Sequence, residues 1–306
     1  MNQLSPVTLS LRAMATRFEL VMYGENKNRL VAAGEEALGE IERLEQQLSF
    51  YENASEINYL NRNAANHFVK IEPRLFKLLK DCAALHQKTD NAFDITIAPL
   101  MRAWRFIREQ GGVPTADELE SARRLTGMQH LEFDDETFAI HFKQAGVEID
   151  LGGFGKGYAV QCAIDLLKEN GIQSALLHGG TSSVATIGTP PAEKFWRIEL
   201  PEPFKQQTPV YIHLANHCLS VSAIHGKSFV VDGKRFGHLI NPVTGESISR
   251  TLAAAVVGQD AAVCEALTKA LMIHSKNWFA TFEARFPDYQ GLVVDEIDGI
   301  FGNLKN

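Results

Sequence analysis

Residues 147–171 read VEIDLGGFGKGYAVQCAIDLLKENG, and this segment dictates its own geometry. An apolar, β-branched run ends at Asp150, four glycines and Lys156 fall within Gly152 to Gly157, and a helical pattern follows. Val160, Ala163, Ile164 and Leu167 share one face, which predicts a helix over about 156–170 that stops at Gly171. A glycine turn that opens a helix exposes free backbone N–H groups to the positive end of the helix dipole, so its natural occupant is an anion. A tight strand-to-helix turn with a solvated lysine accounts for the same letters without a ligand. Two familiar anion motifs are excluded. Gly155-Lys156 is followed by Gly157 rather than Ser or Thr, and the spacing Gly153, Gly155, Gly157 breaks G-x-G-x-x-G.

The rest of the chain supplies elements of both kinds. Alternation in 17–23 predicts a strand, and the stripe Leu30, Ala33, Ala37, Leu38, Ile41, Leu44, Leu48 predicts a helix over 29–48. Shorter helices are predicted at 54–62, at 73–88 with Pro73 in its first turn, and at 115–126 capped by Thr115 or Asp117. The segment 93–106 starts strand-like and turns helical after Pro99. Strands are expected at HLEFD, TFAIHF and 174–180, and a hairpin around Asp232-Gly233, where a tight turn needs positive φ. The C-terminal part predicts helices at about 260–273 and 276–285 and the strand GLVVD. No repeat and no Pro/Ser-rich linker divides the chain. The expectation is α+β: a single domain over 1–306 with a mixed β-sheet flanked by helices.

Composition narrows the function classes. A net charge of −7 without a block of basic residues argues against nucleic acid as a partner. The four cysteines are scattered and form no C-x-x-C, so zinc and iron–sulfur sites have no support. The N-terminus lacks the pattern of a signal peptide, and no stretch approaches a membrane span, which leads to a cytoplasmic expectation.

The segment DLGGFGKGYAV resembles the D-L-G-G-x-x-K-G signature of the FAD:protein FMN transferases of the ApbE type. The resemblance runs in order along almost the whole chain. AMATRFEL is similar to the family's M-G-T segment through Met14 and Thr16, with Ala15 in place of glycine. SFYENASEINYLN matches through Tyr51, Ser55, Glu56, Leu60 and Asn61, and FDITIAPLMRAWRF through Phe93, Asp94, Thr96, Pro99, Leu100, Trp104 and Phe106. LLHGGTSS resembles a strand ending in Gly179-Gly180, and GHLINPVTGES resembles H-x-I-D-P-x-T-G through His238, Pro242, Thr244 and Gly245.

The resemblance implies a reaction. FAD is bound, its pyrophosphate is cleaved with release of AMP, and FMN is joined through its phosphate to a Ser or Thr of an acceptor flavoprotein. It implies that FAD contacts fall to Met14, Tyr51, Ser55, Glu56, Asp94, Trp104, Asp150, Gly152, Gly153, Lys156, Gly179, Gly180, His238 and Thr244. Lys156 is expected to neutralise phosphate charge, and His238 to accept a proton or grip a phosphate. Tyr51 or Trp104 would cover the isoalloxazine ring, although either also suits a plain core.

The resemblance further implies Mg²⁺, held by a carbonyl of the glycine turn, here Gly155, and by an Asp and a Thr of a D-A-L-x-T-A-L helix. Here the helix reads EALTKAL. Glu265 stands for the aspartate and Lys269 for the threonine, while Thr268 lies about 100° around the helix. Glu265 and Lys269 form either a surface i,i+4 pair or, flanking the face of Val263, Ala266, Leu267, Ala270 and Leu271, a pair aimed at the site. Asn241 replaces the family's aspartate before Pro242, and Val221-Ser222-Ala223 replaces T-S-G. An FAD-binding protein with weak or no transfer, or an FAD pyrophosphatase, stands as the alternative to a transferase.

Overall fold

The computed structural model describes residues 5–107, 111–204, 209–224 and 228–304. The chain opens with a hairpin that the sequence pattern only half revealed. β1 (Val7–Ala13) pairs with β2 (Thr16–Met22), and alternate residues Phe18, Leu20 and Met22 point into the core. The two-residue turn between them places Met14 and Ala15 at φ 49 and 56, the left-handed region that hairpin turns require. α1 (Lys27–Leu48), capped by Asn26, lays its predicted stripe on this hairpin.

α2 (Glu56–Asn63) starts at Ser55, whose hydroxyl accepts from the N–H of Asn58. After β3 (Val69–Lys70), α3 (Pro73–Lys88) has its expected bounds, with Pro73 in the first turn and the Glu72 carboxylate accepting from Arg74 and Leu75. The strand-like start expected at 93–97 is a turn rather than a strand. The Asp94 carboxylate accepts from both the N–H and the hydroxyl of Thr96, and α4 (Ala98–Ala103) follows. α5 (Ala116–Arg124) carries a capping box between Thr115 and Glu118. β4 (Leu131–Asp134) and β5 (Ala139–Phe142) complete a small sheet of order β3-β5-β4.

The glycine turn leads into α6 (Gly155–Glu169). β6 (Ala175–Gly179) and β7 (Ser183–Ile187) follow, then the pair β8 (Trp196–Glu199) and β9 (Tyr211–Leu214), and β10 (Cys218–Ala223). The hairpin of β11 (Ser228–Val231) and β12 (Lys234–Gly237) turns at Asp232 and Gly233, with φ 50 and 76. β13 (Thr251–Gly258) and α7 (Ala261–His274) come next. The helix expected at 276–285 is split into a 3₁₀ turn at Ser275–Trp278 and α8 (Phe279–Arg285). β14 (Gln290–Asp295) and β15 (Gly299–Gly302) close the fold.

The architecture is α+β. Among the described residues the main sheet has eight strands in the order β1-β2-β6-β7-β10-β13-β14-β15, so it joins the two ends of the chain. The sheet was expected to be mixed; instead each of its pairings is antiparallel. Four of its neighbouring pairs are consecutive strands: short turns join β1 to β2, β6 to β7 and β14 to β15, whereas α7 and α8 intervene between β13 and β14.

One face of the sheet packs against α1, α6 and α7, with Leu20, Leu177, Ala254 and Val256 meeting Val160 and Leu267. The other face packs Leu219, Val221, Ala253 and Ala255 against Trp196, Ile212 and Leu214 of the β8–β9 pair. No helix among the described residues is long and apolar enough to cross a membrane.

Asp295 ties the C-terminal turn to this sheet. Its buried carboxylate accepts from Arg250 at 2.9 Å, Thr251 at 3.1 Å, Ser275 at 2.9 Å and the N–H groups of Ile297 and Asp298. Burial alone would raise its pKa, but these donors outweigh burial and bring it down to about 2. The folded chain thus keeps Asp295 charged where the unfolded chain protonates it. The resulting stability, about 2 kcal/mol, is complete above the unfolded-state pKa and is lost as pH falls through about 2. Urea unfolding should separate wild type from Asp295→Asn by that amount near neutral pH. The gap should close on acidification; one that stays constant would mean the charge of Asp295 contributes nothing.

Candidate functional site

The glycine turn is held from behind by side chains that imitate strand partners. Asn61 of α2 donates its amide to the carbonyl of Ile149 at 2.9 Å and accepts from the N–H of Ile149 at 2.7 Å. The N–H of Asp150 donates to Ile95 at 2.7 Å, and the ring of Phe93 meets that of Phe154 at 5.4 Å. The Asp150 carboxylate accepts from the N–H of Gly152 and so shapes the start of the turn. Asn61 was legible only as part of a motif; its pairing with Ile149 shows what it does.

At the far end of the turn α6 and α7 come into backbone contact. A Cβ at Gly157 would lie 2.5 Å from the carbonyl oxygen of Ala261. This approach brings Glu265 of α7 to the first turn of α6. One carboxylate oxygen accepts from the N–H of Gly157, and the other lies 3.2 Å from the ammonium of Lys156 and 3.2 Å from that of Lys269. Glu265 is only 2 % exposed, so it is neither half of a surface ion pair nor a residue on the flank of the buried face. Burial would raise its pKa, but the charges of Lys269 and Lys156 and the Gly157 N–H bring it down to about 2. Burial and the neighbouring Lys156 lower Lys269 to about 8 against the pull of Glu265.

Several residues expected to touch a flavin nucleotide are engaged by their own chain. Asp94 is buried beside His86, whose Nδ1 lies 3.3 Å from it, and burial raises its pKa. Ser55 caps α2 and donates to the carbonyl of Ser49. Glu56 accepts from the Gln47 amide and the N–H of Glu72, fastening α1, α2 and α3 together. Trp104 is 5 % exposed, donates its indole N–H to the carbonyl of Gly245 and packs on Phe236, so its ring is core and not a platform. Tyr51 is 48 % exposed, and its ring meets that of Phe50 edge-on at 5.5 Å.

The remaining expected residues fall in two other neighbourhoods. Met14 donates its N–H to Glu45 from the β1–β2 turn, next to the end of β6. There Gly180 sits at φ 63, with its N–H on the carbonyl of Arg17, and a Cβ at Gly179 would meet the ring of Phe18 at 2.6 Å. Half-buried His238 follows β12. Beyond it, the Asn241 side chain accepts from the N–H groups of Val243 and Thr244, building the turn that exposes Thr244. A cavity of about 530 Å³ opens between this turn and the end of α7, lined by Thr244, Arg250, Met272, His274 and Ser275. Its lining includes neither Lys156 nor Glu265.

A family model, the ApbE family, matches residues 14–292. The chain belongs to the ApbE family. A curated relative, the FAD:protein FMN transferase of Vibrio cholerae, is 27 % identical over 242 residues, which are 76 % of this chain and 70 % of the relative. The ApbE protein from Thermotoga maritima superposes with a TM-score of 0.87 at 26 % identity, over 99 % of this chain and 97 % of that one. The flavinyl transferase ApbE of Pseudomonas stutzeri, in its apo form, gives 0.84 at 27 % identity, over 99 % and 95 %.

The magnesium that this family implies finds a poor donor set here. Among the described residues no group of three His, Cys, Asp or Glu could hold a metal ion. Gly155 begins α6, both oxygens of Glu265 are engaged, and a cation stands at Lys269. The hydroxyl of Thr268 donates to the carbonyl of Glu265 and shares a hydrogen bond with Ser222 at 2.7 Å, away from the lysines. Mg²⁺ demands close octahedral oxygen coordination, which two ammoniums on the same carboxylate oppose. The residues present do not fit a magnesium ion.

The contact at Gly157 is the point on which the arrangement turns. Gly157→Ala should force α6 and α7 apart and cost about 1–3 kcal/mol. Urea unfolding measures the loss. A variant as stable as wild type would show that the two helices can separate without consequence.

Proposed function

We propose that the chain, as one domain over its 306 residues, is an FAD:protein FMN transferase. Membership of the ApbE family across residues 14–292 carries this reading. It is supported by the glycine turn with Lys156 at the start of a 15-residue helix. In the transfer, the hydroxyl oxygen of an acceptor Ser or Thr bonds to the phosphorus of the FMN half of FAD. The bond from that phosphorus to the bridging oxygen breaks, and AMP leaves with the electron pair.

This chain's residues have three tasks in such a step. The exposed backbone at Gly152 and Gly153 lets a diphosphate approach closely, and Lys156 offsets its charge. The exposed ring of Tyr51 covers the flavin. His238 takes the proton of the acceptor hydroxyl. The partner is a flavoprotein segment that presents a Ser or Thr.

The decisive experiment incubates the chain with FAD and an acceptor flavoprotein domain and follows AMP release and covalent FMN on the acceptor. Intact FAD after prolonged incubation would leave only a binding protein, and AMP without labelled acceptor would indicate a pyrophosphatase. Within this reading His238→Ala should cut transfer at least a hundredfold, as expected for general base catalysis, with FAD affinity nearly unchanged. Equal losses of stability and affinity would make His238 structural. Gly155→Val adds bulk where a Cβ meets nothing within 4 Å. It should weaken FAD binding at least tenfold, about 1.4 kcal/mol, in a chain that still folds; unchanged affinity would move the diphosphate elsewhere.

A further inference from the structure

We infer that the ammonium groups of Lys156 and Lys269, gathered on Glu265, supply the positive charge for the FAD diphosphate, so that this chain binds FAD without a divalent metal. The inference rests on the reading of the chain as an FAD-dependent transferase and names the means by which its phosphate site is charged.

Geometry places the cations between the buried carboxylate and the approach to the turn. The Glu265 side chain is 2 % exposed, those of Lys269 and Lys156 16 % and 24 %. An incoming anion therefore meets ammonium before carboxylate. The surface beside them is the exposed backbone of Gly152 and Gly153, while the N–H groups of Gly155 and Gly157 donate to Leu151 and Glu265. A Cβ at Gly155 would touch nothing within 4 Å, and one at Gly153 would touch only Cε of Lys269, at 3.7 Å. Lys269 thus runs alongside Gly153, over which a phosphate would settle. Asp150, the other carboxylate of the turn, is directed to the N–H of Gly152.

A divalent cation cannot share this position. It would have to take an oxygen of Glu265 from two ammoniums or displace the N–H of Gly157. Removing the metal removes one ligand-exchange centre but not the neutralising charge. Two lysines on one carboxylate leave an unshared positive charge, and an ammonium binds phosphate as a point charge without a fixed coordination geometry.

Two measurements on the full chain test the inference. In the first, FAD affinity is read from flavin fluorescence in millimolar Mg²⁺ and again in chelator. Wild type should give the same Kd within about twofold, and Lys269→Met should lose at least tenfold, about 1.4 kcal/mol, in both media. Lys269→Arg, which keeps the charge if the Met variant fails to fold, should stay close to wild type. Lys269→Thr should lose affinity in chelator and recover part of it with Mg²⁺. In the second, Mn²⁺ alone is titrated and followed by electron paramagnetic resonance. Wild type should take up no stoichiometric ion at micromolar concentration. An ion bound by wild type and lost in Glu265→Gln, or FAD affinity that collapses tenfold in chelator, would overturn the inference. Metal-independent binding of FAD with no transfer would refute the transferase reading and leave this inference standing. FAD that binds in neither medium would overturn the inference as well.

Discussion

The backbones of α6 and α7 meet at Gly157, where even a methyl group would lie 2.5 Å from the carbonyl oxygen of Ala261. The ion cluster at the end of the glycine turn follows from that approach. A buried carboxylate costs several kcal/mol unless it is paired and hydrogen-bonded. Glu265 meets this demand with one backbone N–H and two ammoniums, all from the first turn of α6 or from its own helix. A wider spacing would leave Glu265 charged in an apolar layer with nothing to balance it. The turn and the ion cluster are therefore one structural unit rather than a loop with decorations.

The second half of the expected site is organised by a different set of forces. Trp104 pins the segment after His238 through the carbonyl of Gly245, and its ring completes a small core with Leu100, Ala122 and Ile240. Asn241 accepts two backbone N–H groups, which the side-chain oxygen of an amide does as well as that of a carboxylate. Replacing an aspartate by asparagine there removes a charge without removing the turn. The backbone that would present His238 and Thr244 survives a change that would alter a metal's surroundings.

Elements with local signals were legible in the sequence. Pro73 marked the start of α3, Asp232-Gly233 marked a hairpin with two positive φ values, and the four glycines marked the start of α6 within a residue. The antiparallel order of the main sheet was not, because it pairs β2 with β6 and β10 with β13, far apart in the chain. In the site, motif letters gave the residues that the resemblance implies but not whether they face ligand or protein. Ser55, Glu56, Asp94 and Trp104 all turned out to be tied to their own chain. Glu265 was misplaced for a related reason. Helical periodicity set it at the edge of the buried face, and a Glu four residues before a Lys has the pattern of a solvated pair. Its burial depends on a glycine more than a hundred residues away, which no window along α7 contains.

The lysines also constrain how a glycine turn of this kind can change over time. The backbone cradle needs only glycines and a helix start, and neither depends on the identity of the cation beside it. The charge depends on Lys156 of α6 and Lys269 of α7, held by a carboxylate that the close helix contact already requires. A metal ligand at position 269 could therefore be exchanged for an ammonium without disturbing the turn, because Glu265 gains a partner in the exchange instead of losing one. The reverse change is harder. Removing Lys269 leaves Glu265 with Lys156 and the N–H of Gly157, and the missing charge must be made up by an ion recruited from solution. An ammonium once installed in such a cluster is thus retained by the folding stability of the cluster itself, whatever it contributes to chemistry.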